Sequence, residues 1–340
     1  SVQEGARAGS RARMKGEGEF EFIARRLAPL SQGAPGAACL KDDGALIDLD
    51  PGETLAVTTD TLIEGRHFPQ GGDAGLAAQK ALRVNLSDLA AMGARPFAYA
   101  LNLVWPEGGE RSATDAFVEG LAADQDRFAV RLIGGDTTSG PGPWTLAVTA
   151  FGRRPAGLAL RRSAARPGDA LVVTGTVGDA GLGLKVMSGE ALGLSAKDCA
   201  WLTERSRRPS PRLEAINALR RHARAAIDVS DGLLADCRHL AEQSDLALTL
   251  DLAATPLSAP ARRWLERQPD PAEASLAIGA AGDDYELLIS TERPAALIDE
   301  LGAAGLPAVQ IGGFDEGEAH VDVQFKGVSL RPEAWGFTHF

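Results

Sequence analysis

The 340-residue sequence predicts an α/β (α+β) protein of two domains, and three observations carry that prediction. Apolar runs of strand length alternate with segments of helical periodicity in both halves of the chain. The stretch "RRPAGLALRRSAARPGD" between them is rich in Arg, Pro and Gly, as a domain junction is. A hydrophobic content of 44% with 39 glycines suits packed cores joined by many tight turns.

The elements follow in order. Residues 1–15 read as a disordered leader, with Met14 as a natural start, and are set apart from the fold. "GEFEFIARRLAPL" carries Phe22, Ile23, Leu27 and Leu30 at helical spacing. Strands are expected near 38–49 and 54–60, then a helix over about 74–92, stopped by Gly93 and the pre-proline Arg95. "PFAYALNLVW" reads as a strand, 110–128 as a helix, and "VRLIGG" and "WTLAVTAFG" as the strands that complete an N-terminal domain over 16–153. The C-terminal domain, 154–340, opens with the strand "DALVVTG". It continues with helices near 179–189, 211–223 and 232–243 and strands at "AAIDV", "LALTLDL", "YELLIST" and "AVQIGGF".

Composition excludes several classes of function. A net charge of −11 argues against nucleic acid, whose partners carry basic clusters. No apolar run reaches the roughly 18–20 residues of a membrane helix, and the polar start is no secretory signal. Cys39, Cys199 and Cys237 are widely spaced and odd in number, which fits a reducing cytoplasm and no zinc site.

The chemistry lies in carboxylates that follow apolar runs. In "LIGGDTTSG" the strand is expected to end at Ile133, with a Gly-Gly turn presenting Asp136. "LAVTTD" ends at Asp60, "AIDVSDG" carries Asp228 and Asp231, "AGDD" carries Asp283 and Asp284, and Asp42 and Asp43 precede another apolar stretch. Each acid alone has a turn or helix-cap reading. Asp88 is a poor helix former inside a helical pattern and shares a face with Asn85. "GTVGDAGLGLK" spells neither nucleotide fingerprint, since Leu184 stands at the Walker lysine position, and reads as a glycine-rich strand-to-helix turn. Five or more converging carboxylates would repel one another unless cations lay between them. An all-oxygen donor set without His or Cys suits Mg²⁺ bridging to phosphates, so an acidic protein can hold a polyphosphate.

The motifs "DDGALIDL", "VTTDTLIEGRHF", "KALRVNLSDLAAMGARP", "LIGGDTTSG", "RRSAARPGD", "AIDVSDGL", "AGDDYELL" and "GFTHF" occur in the order seen in thiamine-monophosphate kinases. The chain resembles that family, within the aminoimidazole-ribotide-synthetase-like ATP enzymes, from about residue 16 to its end. The resemblance implies two domains of that type, with the N-terminal sheets joined across the axis of a homodimer. It implies ATP as co-substrate and several Mg²⁺ ions, held by Asp42, Thr58, Thr59, Asp60, Asp88, Asp136, Asp228 and Asp231. Gly135, Asp136, Arg162 and Ser230 take the place of nucleotide contacts, and His67, Asp283 and Phe337 that of thiamine-phosphate contacts. Lys41, Val118 and Asp283 depart from the family pattern.

The expected reaction is direct phosphoryl transfer from ATP to thiamine monophosphate, with Asp136, Asp228 and Arg162 as the catalytic groups. The acceptor is a phosphate whose second pKa lies near about 6, so it needs no general base. Two alternatives stay open: another ATP-dependent enzyme of the group, such as an aminoimidazole ribotide or selenophosphate synthetase, and a non-catalytic metal-dependent binding protein.

Overall fold

The computed structural model describes residues 19–108, 111–158 and 160–337; the leader and the last three residues of "GFTHF" lie outside them. Two sheets are present, and contacts divide the chain into two compact units that do not follow sequence order. Unit 1 takes residues up to Ile47, Thr61–Ala81 and Ala98–Val148; unit 2 takes Asp48–Asp60, Leu82–Phe97 and Thr149 onward.

The four-stranded sheet has the order β1-β4-β2-β3, with β1 at Glu53–Ile63, β2 at Arg95–Pro106, β3 at Arg131–Gly140 and β4 at Thr145–Pro155. Its helices are α1 (Glu19–Phe22), α2 (Ala74–Ala91) and α3 (Arg111–Phe128). α1 runs on into a π-helical turn and a 3₁₀ turn through Ser31, because Pro29 cannot continue the α-helical ladder. The core of unit 1 is aromatic: Trp105 meets Phe22, Phe117 and Trp144 edge-on, at centroid distances of 5.8, 5.5 and 4.3 Å. Tyr99, fully buried, donates to Gln125 Oε1, which also accepts from Leu132 N–H, so the buried phenol is satisfied.

Two expectations fail here. Residues 38–49 form no strand: Pro35–Leu40 is 3₁₀, and Ala38, Cys39 and Leu40 all have positive φ, which breaks any extended run. Nor does "GGD" make a turn. β3 runs on through Asp136 to Gly140, paired in parallel with β2. The register steps between Tyr99 and Ala100, leaving Ile133 as the extra residue of a bulge. Gly135, at φ +146°, lies so close to β2 that a Cβ would sit 1.9 Å from the Leu101 carbonyl oxygen. Gly135 therefore serves close strand pairing beside a bulge, and not a turn.

Unit 2 is built on a seven-stranded sheet, order β11-β10-β7-β9-β5-β8-β6. These strands are β5 (Ala170–Thr174), β6 (Ala225–Asp228), β7 (Ala247–Asp251), β8 (Leu287–Thr291), β9 (Ala308–Asp315), β10 (His320–Phe325) and β11 (Val328–Leu330). Its helices are α4 (Asp179–Met187), α5 (Ala196–Arg207), α6 (Ile216–His222), α7 (Leu233–Ser244), α8 (Ala259–Leu265), α9 (Pro271–Gly279) and α10 (Pro294–Ala303). β5, β6 and β8 are buried along their whole length because both faces of the sheet are covered. Leu171, Val173, Ile227 and Leu288 join Leu233, Leu240, Leu202 and Trp264 on one face. Val172, Ala226, Leu287 and Ile289 meet Leu219, Leu297 and Leu301 on the other.

Candidate active site

β6 ends on Asp228, and the chain turns through Val229, Ser230, Asp231 and Gly232 into α7. β8 runs antiparallel to β6, with Leu287 opposite Asp228, so residues 282–286 enter the sheet beside the point where 228–232 leave it. Asp283 N–H donates to the Ser230 carbonyl and Tyr285 N–H to the Val229 carbonyl, fastening the two loops together. Phe337 N–H donates to the Asp231 carbonyl, which seats the C-terminal segment on the same loop.

Around Asp228 the structure gathers several of the expected acids within unit 2. Thr58 and Asp60 lie on one face of β1, and Thr58 Oγ1 donates to Asp88 Oδ2. Ser87 Oγ, fully buried beside Asp88 on α2, donates to Asp228 Oδ2 at 2.7 Å. Burial and the neighbouring Asp88 raise Asp60 to about 6. Burial raises Asp88 as well, against the Thr58 hydroxyl and the Arg162 guanidinium, which lower it. Asp228 is pushed to about 7, by burial first and then by the charge of Asp88. Carboxylates so placed lack positive charge, and an all-oxygen set of this kind is what Mg²⁺ coordinates.

Thr59 points the other way, as alternation along a strand requires, and its hydroxyl accepts from Thr149 Oγ1 at 3.2 Å. Asp60 also lies inside β1 and not at its end, and Asp136 inside β3; of these acids Asp228 alone closes a strand. Asp231 is half-buried; its ligand atom lies within 4.8 Å of those of Asp236 and His239. Arg162 is exposed on a 3₁₀ turn, near enough to lower both Asp88 and Asp228. Asp42, His67, Gly135 and Asp136 belong to unit 1. There Asp42, Gly135 and Asp136 are exposed, and His67 Nδ1 accepts from Ile63 N–H at 3.0 Å, closing the turn after β1.

The glycine-rich turn before α4 is already occupied. Gly178 N–H and Ala180 N–H donate to the two carboxylate oxygens of Asp284 at 2.6 and 3.1 Å. A helix N-terminus filled by the chain's own acid is no phosphate cradle. Sequence reasoning named Asp284 without giving it a role and passed over Ser87, Tyr285 and Glu286. Glu286, fully buried, accepts from Arg205, Arg212 and Thr174. A "DDYE" run entering an apolar strand was the available signal, since buried charges need partners of their own.

The chain matches the family models of the AIR synthase related protein, N-terminal domain over residues 41–154 and C-terminal domain over 166–323. Thiamine-monophosphate kinase of Caulobacter vibrioides is 40% identical over 94% of this chain and 90% of its own. This chain belongs to the thiamine-monophosphate kinase family. The crystal structure of the family member from Stenotrophomonas maltophilia superposes with a TM-score of 0.76 at 40% identity, covering 86% of this chain and 91% of that one. A further kinase structure, "AaThiL complexed with AMPPCP and TMP", gives a TM-score of 0.74 at 28% identity over 98% of this chain and all of that one. Hydrogenase maturation protein HypE, with 20% identity and a TM-score of 0.75, shares the fold. No helix among the described residues is long and apolar enough to cross a membrane.

Proposed function

We propose that this chain transfers the γ-phosphoryl group of ATP to thiamine monophosphate, giving thiamine diphosphate and ADP with Mg²⁺. The observation that carries the reading is the Thr58–Asp60–Asp88–Asp228 cluster, in a chain 40% identical to a thiamine-monophosphate kinase. An acceptor phosphate oxygen forms the new bond to the γ-phosphorus while the bond to the bridging β-oxygen breaks, and the electron pair leaves with ADP.

Asp60, Asp88 and Asp228 would hold the metal, joined by Asp42, the Thr58 hydroxyl, the Thr59 carbonyl, Asp136 and Asp231. Bound there, the ions would neutralise charge on the phosphates, which is the main barrier between two polyanions. The chain itself contributes position. Ser87 fixes the Asp228 carboxylate, and Gly135 lets β3 lie against β2 at Leu101 without a side chain. Arg162 would add a cation, with Gly135 and Ser230 beside the nucleotide and His67, Asp283 and Phe337 at the thiamine rings. No residue acts as nucleophile or general base. The acting species is a cytoplasmic homodimer.

The test is ADP release from ATP with Mg²⁺, with and without thiamine monophosphate. Release that needs the thiamine ester supports the kinase; release without it points to another enzyme of the fold group, and none at all to a binding protein.

A further inference from the structure

Of the three residues after Gly282, the phosphoryl-transfer reading uses Asp283 and leaves Asp284 and Tyr285 without a part. Asp283 and Tyr285 both have left-handed backbones, at φ +69° and +52°. Such conformations are uncommon for residues with a Cβ and persist where surrounding contacts over-determine them. The contacts are on hand. Asp284 between them is buried and binds two backbone N–H groups at the start of α4. The N–H groups of Asp283 and Tyr285 are bound to the Ser230 and Val229 carbonyls. Gly282 leaves no room for displacement, since a Cβ there would lie 2.4 Å from the Ser230 carbonyl oxygen. The segment is clamped on both sides.

The clamp decides where two side chains go. Tyr285 Oη donates to Asp283 Oδ1 at 3.3 Å, long for an O–H···O bond, so it fixes direction more than it adds strength. Burial and the charges of Asp283, Asp228 and Asp60 push the Tyr285 phenol far upward, so it stays a donor at every working pH.

We propose that Tyr285 is a positioning residue for the acceptor: held by the Asp284 clamp, its hydroxyl fixes the Asp283 carboxylate beside the Asp228 loop, where the organic part of the acceptor binds. This rests on the kinase reading and adds to it the residue through which Asp283 acts. A carboxylate so held would recognise a cationic or hydrogen-bond-donating ring.

The experiment is steady-state kinetics on Tyr285→Phe, Asp283→Asn and the double variant, varying ATP and thiamine monophosphate in turn. Phe removes only the hydroxyl. The expected result is a KM for thiamine monophosphate raised roughly five- to tenfold in Tyr285→Phe, with the KM for ATP within about twofold. The double variant should be no worse than Asp283→Asn alone, because the hydroxyl acts through that carboxylate. Additive losses, an unchanged thiamine-phosphate KM, or both KM values raised together with a lowered melting temperature would overturn the assignment. A wild type active with thiamine monophosphate confines any such failure to Tyr285; an inactive one refutes the kinase reading and this inference together.

Discussion

At the scale of single residues, burial and charge decide what the acids do. Asp136 is exposed, so replacing its charge by an isosteric amide disturbs little packing. Asp136→Asn should lower kcat by on the order of a hundredfold at limiting Mg²⁺, with a melting temperature inside about 2 °C of wild type. Near-normal turnover would make Asp136 a strand residue and nothing more. Asp228 gives a pH prediction. In the fold it titrates at about 7, against 3.8 as its ordinary value, so between those values the folded chain binds a proton that the unfolded chain has released. Without metal, stability therefore falls as pH rises through that window. Mg²⁺ binds the ionised form, so the rise in melting temperature that it produces should be larger at pH 8 than at pH 5.5. Thermal melts with EDTA or Mg²⁺ at the two pH values test this; an Mg²⁺ effect independent of pH would remove Asp228 from the metal site.

At the scale of elements, the close pairing of β3 with β2 explains the glycine at 135, and the two glycines before Asp136 are not equivalent. A Cβ on Gly134 would meet nothing within 4 Å, whereas one on Gly135 would overlap the Leu101 carbonyl. Gly135→Ala should cost about 2–3 kcal/mol, read from urea unfolding, and Gly134→Ala less than about 0.5 kcal/mol. Equal costs would mean that the strand pairing of β3 with β2 is not what fixes the site. The bulge also resets the side-chain alternation downstream of Ile133, so which of the residues from Asp136 onward face which way depends on it.

At the scale of the molecule, one sheet face is open. Val57 on β1 is 51% exposed and Thr59 beside it is exposed too, while Phe97 on β2 and Thr149 and Phe151 on β4 are partly exposed. An apolar sheet face of this kind calls for cover, which a second copy of the chain would supply. Light scattering at micromolar concentration should give twice the 35.5 kDa chain mass, and Val57→Asp should shift it toward the monomer. A wild-type monomer would refute the homodimer.

Local periodicity in the sequence determined many of the helices and strands and their order, but not α5, α8, α9 or α10. α2, β2, α3 and β5 to β9 fall close to where alternation and 3.6-residue spacing put them, whereas β10 and β11 were not read from the sequence. The acids that cluster around Asp228 were legible too, because an Asp behind an apolar run is conspicuous and the ordered motifs point to one family. What tertiary structure decided are properties that depend on a distant partner. Whether "GGD" is a turn or a bulge was set by pairing with Leu101, and that Asp284 caps α4 follows from a contact across more than a hundred residues. Ser87 counts through its reach to Asp228, and Tyr285 through a backbone that Ser230 and Asp284 hold. Spacing along a chain fixes the face a side chain takes within its own element, but burial and partner come from segments the fold brings alongside.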